Sequence, residues 1–364
     1  MNHSIIFILI YIIIITTYFI ASTYAFDRLK HYFSLKYKLK SFVISLILCL
    51  LIPIGIIIQE TIDTGFTTFI YNGAFLIFVF ILALIVFTIV LDLIKLIFKD
   101  KIKNYVWGII ILSITILFTL ISFINAINYK EINIDIYTSK INQDTKIVQI
   151  SDVHLFGKTS ENRFNKIYTS IIALNPDMIV ITGDLFDTPG TIPTNAINII
   201  NDYNIPVYFA YGNHDIMYGE ESSKEIIDNT HMVALNNEKI TNKERNISLI
   251  GIKYSRDVET IGKVLQTMDV DNNEYNILLY HEPVGTKDAA NKGIDLMLCG
   301  HTHGGQMFPL TSLIGLMYDY VKGEYLIDNM TLYVNQGTGL WGPKMRLQTR
   351  SEITVFNIKK ELEH

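Results

Sequence analysis

Four apolar runs in the first third of this chain restrict its fold more than any other feature of the sequence. They lie near residues 4–24, 42–58, 69–91 and 105–127 and consist mostly of Ile, Leu, Phe and Val. Each is close to the length of about 20 residues at which an apolar helix crosses a bilayer. In hydrocarbon every backbone N–H and C=O must be paired within the segment, so such runs become helices. No Lys or Arg precedes Arg28, so the first run lacks the basic start of a secretory signal and reads as a retained span.

Charge between the runs predicts an orientation. Arg28, Lys30, Lys36, Lys38 and Lys40 fill the first loop, and Lys95, Lys99, Lys101 and Lys103 the third. The second loop carries only Glu60 and Asp63, and Lys130 follows the fourth run together with Glu131 and Asp135. Basic loops stay on the cytoplasmic side. The expectation is a multi-pass protein of the cell membrane, with the lipid bilayer as a partner and everything after the fourth span outside the cytoplasm. Asp92 and Lys95 read as groups snorkelling from the end of the third span, and Pro53 and Gly55 as a kink. Few polar groups fall at mid-depth, which favours an anchor over a transporter.

Beyond residue 128 the composition becomes that of a globular domain. The expected division is a four-helix transmembrane part over 1–128, a linker over 129–145 and a domain over 146–364. The net charge of −5 and the absence of a basic stripe argue against nucleic-acid binding. Cys49 and Cys299 are too differently placed to suggest a disulfide. Strands are predicted over 146–151, 178–182, 206–211, 247–252, 276–281, 294–299, 331–335 and 352–357, with helices over 161–174, 194–203, 224–229, 258–266 and 285–292. This alternation suits a layered α/β domain.

The chemistry gathers at the ends of the apolar strands. Residues 147–154 read IVQISDVH, where Asp152 and His154, two apart, share a face if the chain is extended. MIVITGDLFD follows at 178–187, VYFAYGNHD at 207–215, ILLYHE at 277–282 and LMLCGHTH at 296–303. Asp152, His154, Asp184, His281, His301 and His303 mix carboxylate with imidazole and include no thiolate. That set favours borderline divalent ions over Ca²⁺. Five of the nine histidines fall in these motifs; His3, His31, His231 and His364 do not.

The ordered series D-x-H, GD-x-x-D, GNHD, H and GH-x-H resembles the calcineurin-like metallophosphoesterase superfamily over roughly residues 146–358. HTHGGQ at 301–306 and GTGLWGP at 337–343 are similar to the branch of the bacterial phosphoesterases YkuE and YaeI. The resemblance implies a two-sheet αββα sandwich and a metal-dependent hydrolase of phosphate mono- or diesters. Asp152, His154, Asp184 and His303 would hold one ion, and Asp184, Asn213, His281 and His301 the other, with a water activated between them. Mn²⁺, Zn²⁺ and Fe²⁺ all suit the site. Purple acid phosphatases place a ferric-binding tyrosine where this chain has Asp187, so a ferric tyrosinate is not expected.

By the same resemblance His214 would protonate the leaving oxygen or contact the phosphoryl group. Asp215 would orient its imidazole, and Asp187 would lie behind the ligands. Trp341 reads either as an aromatic beneath the site or as a wall for the leaving group. Lys344, Arg346 and Arg350 read as a solvated basic face that could meet an anion. The bilayer anchor makes a lipid-linked phosphate a plausible substrate, since tethering raises its effective concentration. The competing expectation is a catalytically silent, metal-dependent sensory or binding module on the same anchor.

Overall fold

The computed structural model describes residues 3–36, 40–98, 102–257, 259–307, 310–342 and 344–361. Lys38, Lys99, Lys101, Pro343 and His364 of the sequence reading lie outside the described residues, as does the predicted start of a helix at Val258. The chain divides into two compact units, 1–124 with 342–345, and 125–341 with 346–364.

The four apolar runs are helices α1 (His3–Phe33), α2 (Ser41–Thr61), α3 (Gly65–Phe98) and α4 (Asn104–Ile127). All four are long and apolar enough to cross a membrane. They extend further than the apolar runs alone, which changes the surroundings of two charged groups. Arg28 is inside α1, and its guanidinium binds both oxygens of Asp92 on α3 at 2.6 Å. The hydroxyls of Tyr24 and Tyr32 donate to the same carboxylate. Asp92 therefore ties α1 to α3 instead of snorkelling. Lys95 bonds Asn104 Oδ1 at 3.2 Å and lies over the Tyr32 and Trp107 rings.

The second unit contains β1 (Tyr129–Thr138), β2 (Thr145–Ile150), α5 (Ser160–Ile172), β3 (Met178–Thr182), β4 (Val207–Ala210) and α6 (Asn213–Asp228). Then come β5 (Val233–Ala234), β6 (Glu238–Asn242), β7 (Ile247–Gly251), α7 (Thr260–Thr267), β8 (Tyr275–Leu279), α8 (Thr286–Lys292) and β9 (Leu296–Cys299). The short helix α9 (Leu310–Leu313) precedes β10 (Gly323–Ile327), β11 (Met330–Val334) and β12 (Ser351–Lys360). One sheet runs β1-β12-β2-β3-β4-β5 and the other β10-β11-β9-β8-β7-β6.

Strand periodicity explains the layering, because successive side chains point to opposite faces. On β3, Met178 and Val180 join the core shared with Ile277, Leu279 and Leu298 of the second sheet. Ile179 and Ile181 pack instead with Phe164, Ile167 and Ile171 of α5. On β8, Leu278 turns the other way, toward Ile261 and Leu265 of α7. The result is two mixed sheets face to face with helices outside both, as the α/β sandwich reading anticipates.

Two expectations need correction. Residues 129–145, read as a linker, instead carry β1, which pairs in parallel with β12 along all ten of its residues. Its Ile132, Ile134 and Ile136 pack on the inter-sheet core, so the strand is held by burial as well as by its ladder. The helix predicted over 194–203 is a turn followed by a 3-10 helix, Asn198–Asp202. Asn195 and Asn201 turn their amides to Glu161 and to the Asn229 carbonyl, consistent with the preference of Asn for local bonding outside helix interiors.

Candidate metal centre

Five strands deliver the site. Asp152 and His154 follow the end of β2, Asp184 that of β3, Asn213 that of β4, His281 that of β8, and His301 and His303 that of β9. Ligand sites of open α/β sheets form outside the carboxyl ends of strands. Asp152 and His154 do converge, but not as alternate residues of an extended segment. Both have left-handed backbones, with φ of 52° and 50°, as do Asp184, His301 and His303. The D-x-H pair is thus presented by a tight loop, tied to the next one by Asp152 N–H and His154 N–H donating to the carbonyls of Gly183 and Asp184.

The side chains meet in two groups that share Asp184. His154 Nε2 lies 3.0 Å from His303 Nε2, and His303 Nε2 is 3.4 Å from Asp152 Oδ1. His154 Nε2 is 3.9 Å from Asp184 Oδ2. On the other side His281 Nε2 is 3.1 Å from that same oxygen, and His301 Nδ1 lies 3.2 Å from His281 Nε2 and 2.9 Å from Asn213 Oδ1. Every ligand expected from the sequence is therefore brought together.

The chain's segment 145–305 matches the family model described as calcineurin-like phosphoesterase. The uncharacterized metallophosphoesterase Cj0846 of Campylobacter jejuni is 33% identical over 286 residues, covering 74% of this chain and 76% of that protein. The chain belongs to the calcineurin-like phosphoesterase family. YkuE of Bacillus subtilis, also an uncharacterized metallophosphoesterase, is 31% identical over 230 residues, 59% of this chain and 79% of its own. A zebrafish (Danio rerio) transmembrane protein with a metallophosphoesterase domain is 32% identical over 253 residues, 64% of this chain but only 57% of the relative.

The donor set suits the divalent ions such phosphoesterases use. Two imidazoles on one ion at about 2.1 Å hold their nitrogens about 3.0–3.4 Å apart, the spacing found here for the His154–His303 and His281–His301 pairs. Metal-binding histidines characteristically engage their other nitrogen elsewhere. His281 Nδ1 donates to the Thr182 carbonyl at 2.8 Å, His154 Nδ1 faces Asp187 Oδ2 at 2.9 Å, and His301 Nε2 meets the Tyr318 hydroxyl at 2.9 Å.

Electrostatics within the cluster follow from burial and proximity. Burial disfavours the His281 imidazolium, but Asp184 and Asp152 beside it outweigh this and push its pKa up to about 10. Asp184, despite its own burial, is held far below the carboxylate range by His281 and His154. Burial and the charge of His281 push His301 down to about 3. His303 falls well below its usual value through burial and the nearby His154. Together the groups form a pocket where carboxylates and imidazoles compete for protons and a cation would replace them.

Two residues differ from their expected roles. Asp215 does not orient His214: its carboxylate accepts N–H bonds from Asp184, Phe186 and Gly212 at 2.8–2.9 Å. It braces the loop that carries Asp184. The imidazole of His214 is held instead by Asp187, whose Oδ1 lies 2.8 Å from His214 Nδ1 while Oδ2 faces His154. Arg346 is not on a solvated face. It is fully buried and donates to the carbonyls of His303, Gly337 and Gly339, fastening the GH-x-H loop. Trp341 is exposed at the rim, its ring 6.4 Å from that of His214.

The place of Asp187 behind a ligand was read from the sequence, whereas its bond to His214, the part of Tyr318 and the burial of Arg346 were not. The glycine before Asn213 is required by close approach. A Cβ at Gly212 would lie 2.4 Å from the Asp184 backbone nitrogen and 2.2 Å from its Oδ1, so Asp184 would have to move. A Cβ at Gly315 meets nothing within 4 Å. Gly212→Ala should therefore lower bound metal, by elemental analysis of the purified chain, well below the wild-type ratio, while Gly315→Ala leaves the ratio unchanged.

Proposed function

We propose that this chain is a membrane-anchored phosphoesterase that uses two divalent ions, manganese, zinc or ferrous iron, to hydrolyse a phosphate mono- or diester, with lipid-linked phosphates the favoured substrate class. The observation that carries this reading is that one buried carboxylate, Asp184, lies between two groups of donors and belongs to both. Asp152, His154, Asp184 and His303 hold one ion; Asp184, Asn213, His281 and His301 hold the other. When bound, such a pair polarises the phosphoryl oxygens, acidifies a water and offsets charge in an in-line displacement. In this reading residues 1–128 are the anchor and the domain that follows does the chemistry.

The chain's own contribution beyond the ligands centres on His214. Asp187 engages Nδ1, which leaves Nε2 to deliver a proton to the leaving oxygen. The same carboxylate raises the His214 pKa against the opposing effect of burial, so the imidazolium persists at higher pH than in a free histidine. Asp215 acts on the reaction only through the loop it holds.

Dialysis of the full chain against a chelator should abolish hydrolysis of an aryl phosphate, and added manganese should restore it. Asp184→Ala should be the most damaging single substitution, because both ions lose a ligand. Full activity after elemental analysis finds no metal would refute the mechanism. His214→Ala should slow substrates with poor leaving groups by about 10²–10⁴-fold, with two ions still bound, and slow nitrophenyl esters much less. An equal loss for both would make His214 a phosphate-positioning group instead.

Orientation is the remaining part of the proposal. The basic first and third loops favour an even-span topology with the phosphoesterase domain outside the cytoplasm. Alkaline phosphatase fused after Ile127 should be active and a fusion at Lys38 silent. The reverse pattern would place the site in the cytoplasm.

A further inference from the structure

The rim of the metal centre carries apolar surface that phosphoester chemistry does not use. Residues 310–318 read LTSLIGLMY, with no charged side chain, and form α9 followed by a 3-10 turn, Ile314–Leu316. Leu310 and Leu313 are exposed, and Leu316 and Met317 are 84% and 75% exposed. The segment runs directly into the site: Tyr318, next in the chain, bonds His301 Nε2 and donates to Glu282 Oε1, both at 2.9 Å. Trp341, 55% exposed beside His214, is fixed to the loop of His303 through two bonds between its backbone and the Gln306 amide.

Large apolar side chains held in water around a polar site mark a surface that meets something apolar. The chain itself indicates what that is. Its α4 is of membrane-crossing length and ends at Ile127, and β1 begins at Tyr129, so a single residue separates a spanning helix from the first strand of the domain. Within the second unit, Ser351 Oγ on β12 donates to the Ala126 carbonyl at 3.0 Å. Leucine and methionine alongside an exposed tryptophan make the composition of a surface that lies in the boundary between headgroups and acyl chains.

We propose that residues 310–317 and Trp341 seat in that boundary and present a phosphate borne by a bilayer lipid to the metal centre. The presentation of a substrate rests on the phosphoesterase reading; the seating does not. Tyr318 couples the two, since it links the seated segment to His301.

The test uses the full chain reconstituted in phosphatidylcholine and phosphatidylglycerol vesicles. Leu316→Cys, in a Cys49→Ser background with Cys299 left in its buried position, is labelled with an environment-sensitive fluorophore, and Lys224→Cys on α6 serves as the exposed control. The Leu316 label should emit at shorter wavelength than the control, be quenched by nitroxide lipids and resist aqueous iodide. Emission and iodide quenching equal to the control would overturn the seating. In the same vesicles, Leu316→Asp with Met317→Asp should cut hydrolysis of phosphatidic acid at least 10-fold while nitrophenyl phosphate hydrolysis stays within twofold. Undiminished phosphatidic acid hydrolysis by that variant, or a wild type that cleaves only the soluble ester, would overturn the presentation. A metal-loaded wild type inactive on both esters would refute the phosphoesterase reading alone, leaving the fluorophore to decide the seating.

Discussion

A buried, shared carboxylate is the constraint around which the site is built. Asp184 is 2% exposed, and an uncompensated buried carboxylate costs several kcal/mol. The chain meets this cost from several directions at once. His281 Nε2 approaches one oxygen at 3.1 Å, the His214 backbone N–H donates to the other at 2.8 Å, and the residue's own N–H is held by Asp215. Gly183 and Gly212 are small because His281 and Asp184 occupy the space a Cβ would need. The position of one acid therefore dictates residue types in the loops after three different strands.

Those loops are strained, and the strain is tolerable only because the sandwich behind them is not. Five of the expected ligands sit at positive φ, a conformation that costs a non-glycine residue of the order of 1–3 kcal/mol. Strands feeding them are buried along their whole length on both faces, as in β3, β8 and β9. Fixed strand ends leave the connecting backbone little choice, and loop-to-loop bonds such as Thr338 N–H to the Ser151 carbonyl and Gly339 N–H to that of Asp152 remove the rest. Buried Arg346 adds a cation on the carbonyl side of the same loops, out of reach of solvent.

The central strands and all seven candidate ligands were legible because each strand is an apolar run that stops at a polar residue with chemistry of its own. Legibility failed where that contrast was weak. β1 alternates Ile132, Ile134 and Ile136 with Glu131, Asn133 and Asp135, a period-two signal obscured by its position after the last span. Arg28 and Asp92 are 64 residues apart, and hydropathy alone cannot pair them. Asp215 was misassigned for a similar reason: adjacency in sequence suggested it as the partner of His214. A helix start directs Asp215 instead toward the N–H groups of its own cap and of Asp184, and the acid three residues beyond Asp184 is left to face the imidazole.

Asp187 joins a candidate metal ligand to the candidate acid through one side chain. Its two oxygens engage His154, a candidate ligand, and His214, the candidate acid, at nearly equal distances. Burial alone would raise the Asp187 pKa, yet bonds to the two imidazoles hold it well below the usual range, so it remains an anion between them. A cation on Nε2 of His154 would draw electron density from that ring and strengthen its Nδ1–H bond to Asp187. The carboxylate would then have less charge to offer His214, whose proton would leave more readily. In the proposed mechanism, loading of one ion would thus tune the acidity of His214 through a contact that lies wholly behind the candidate ligands.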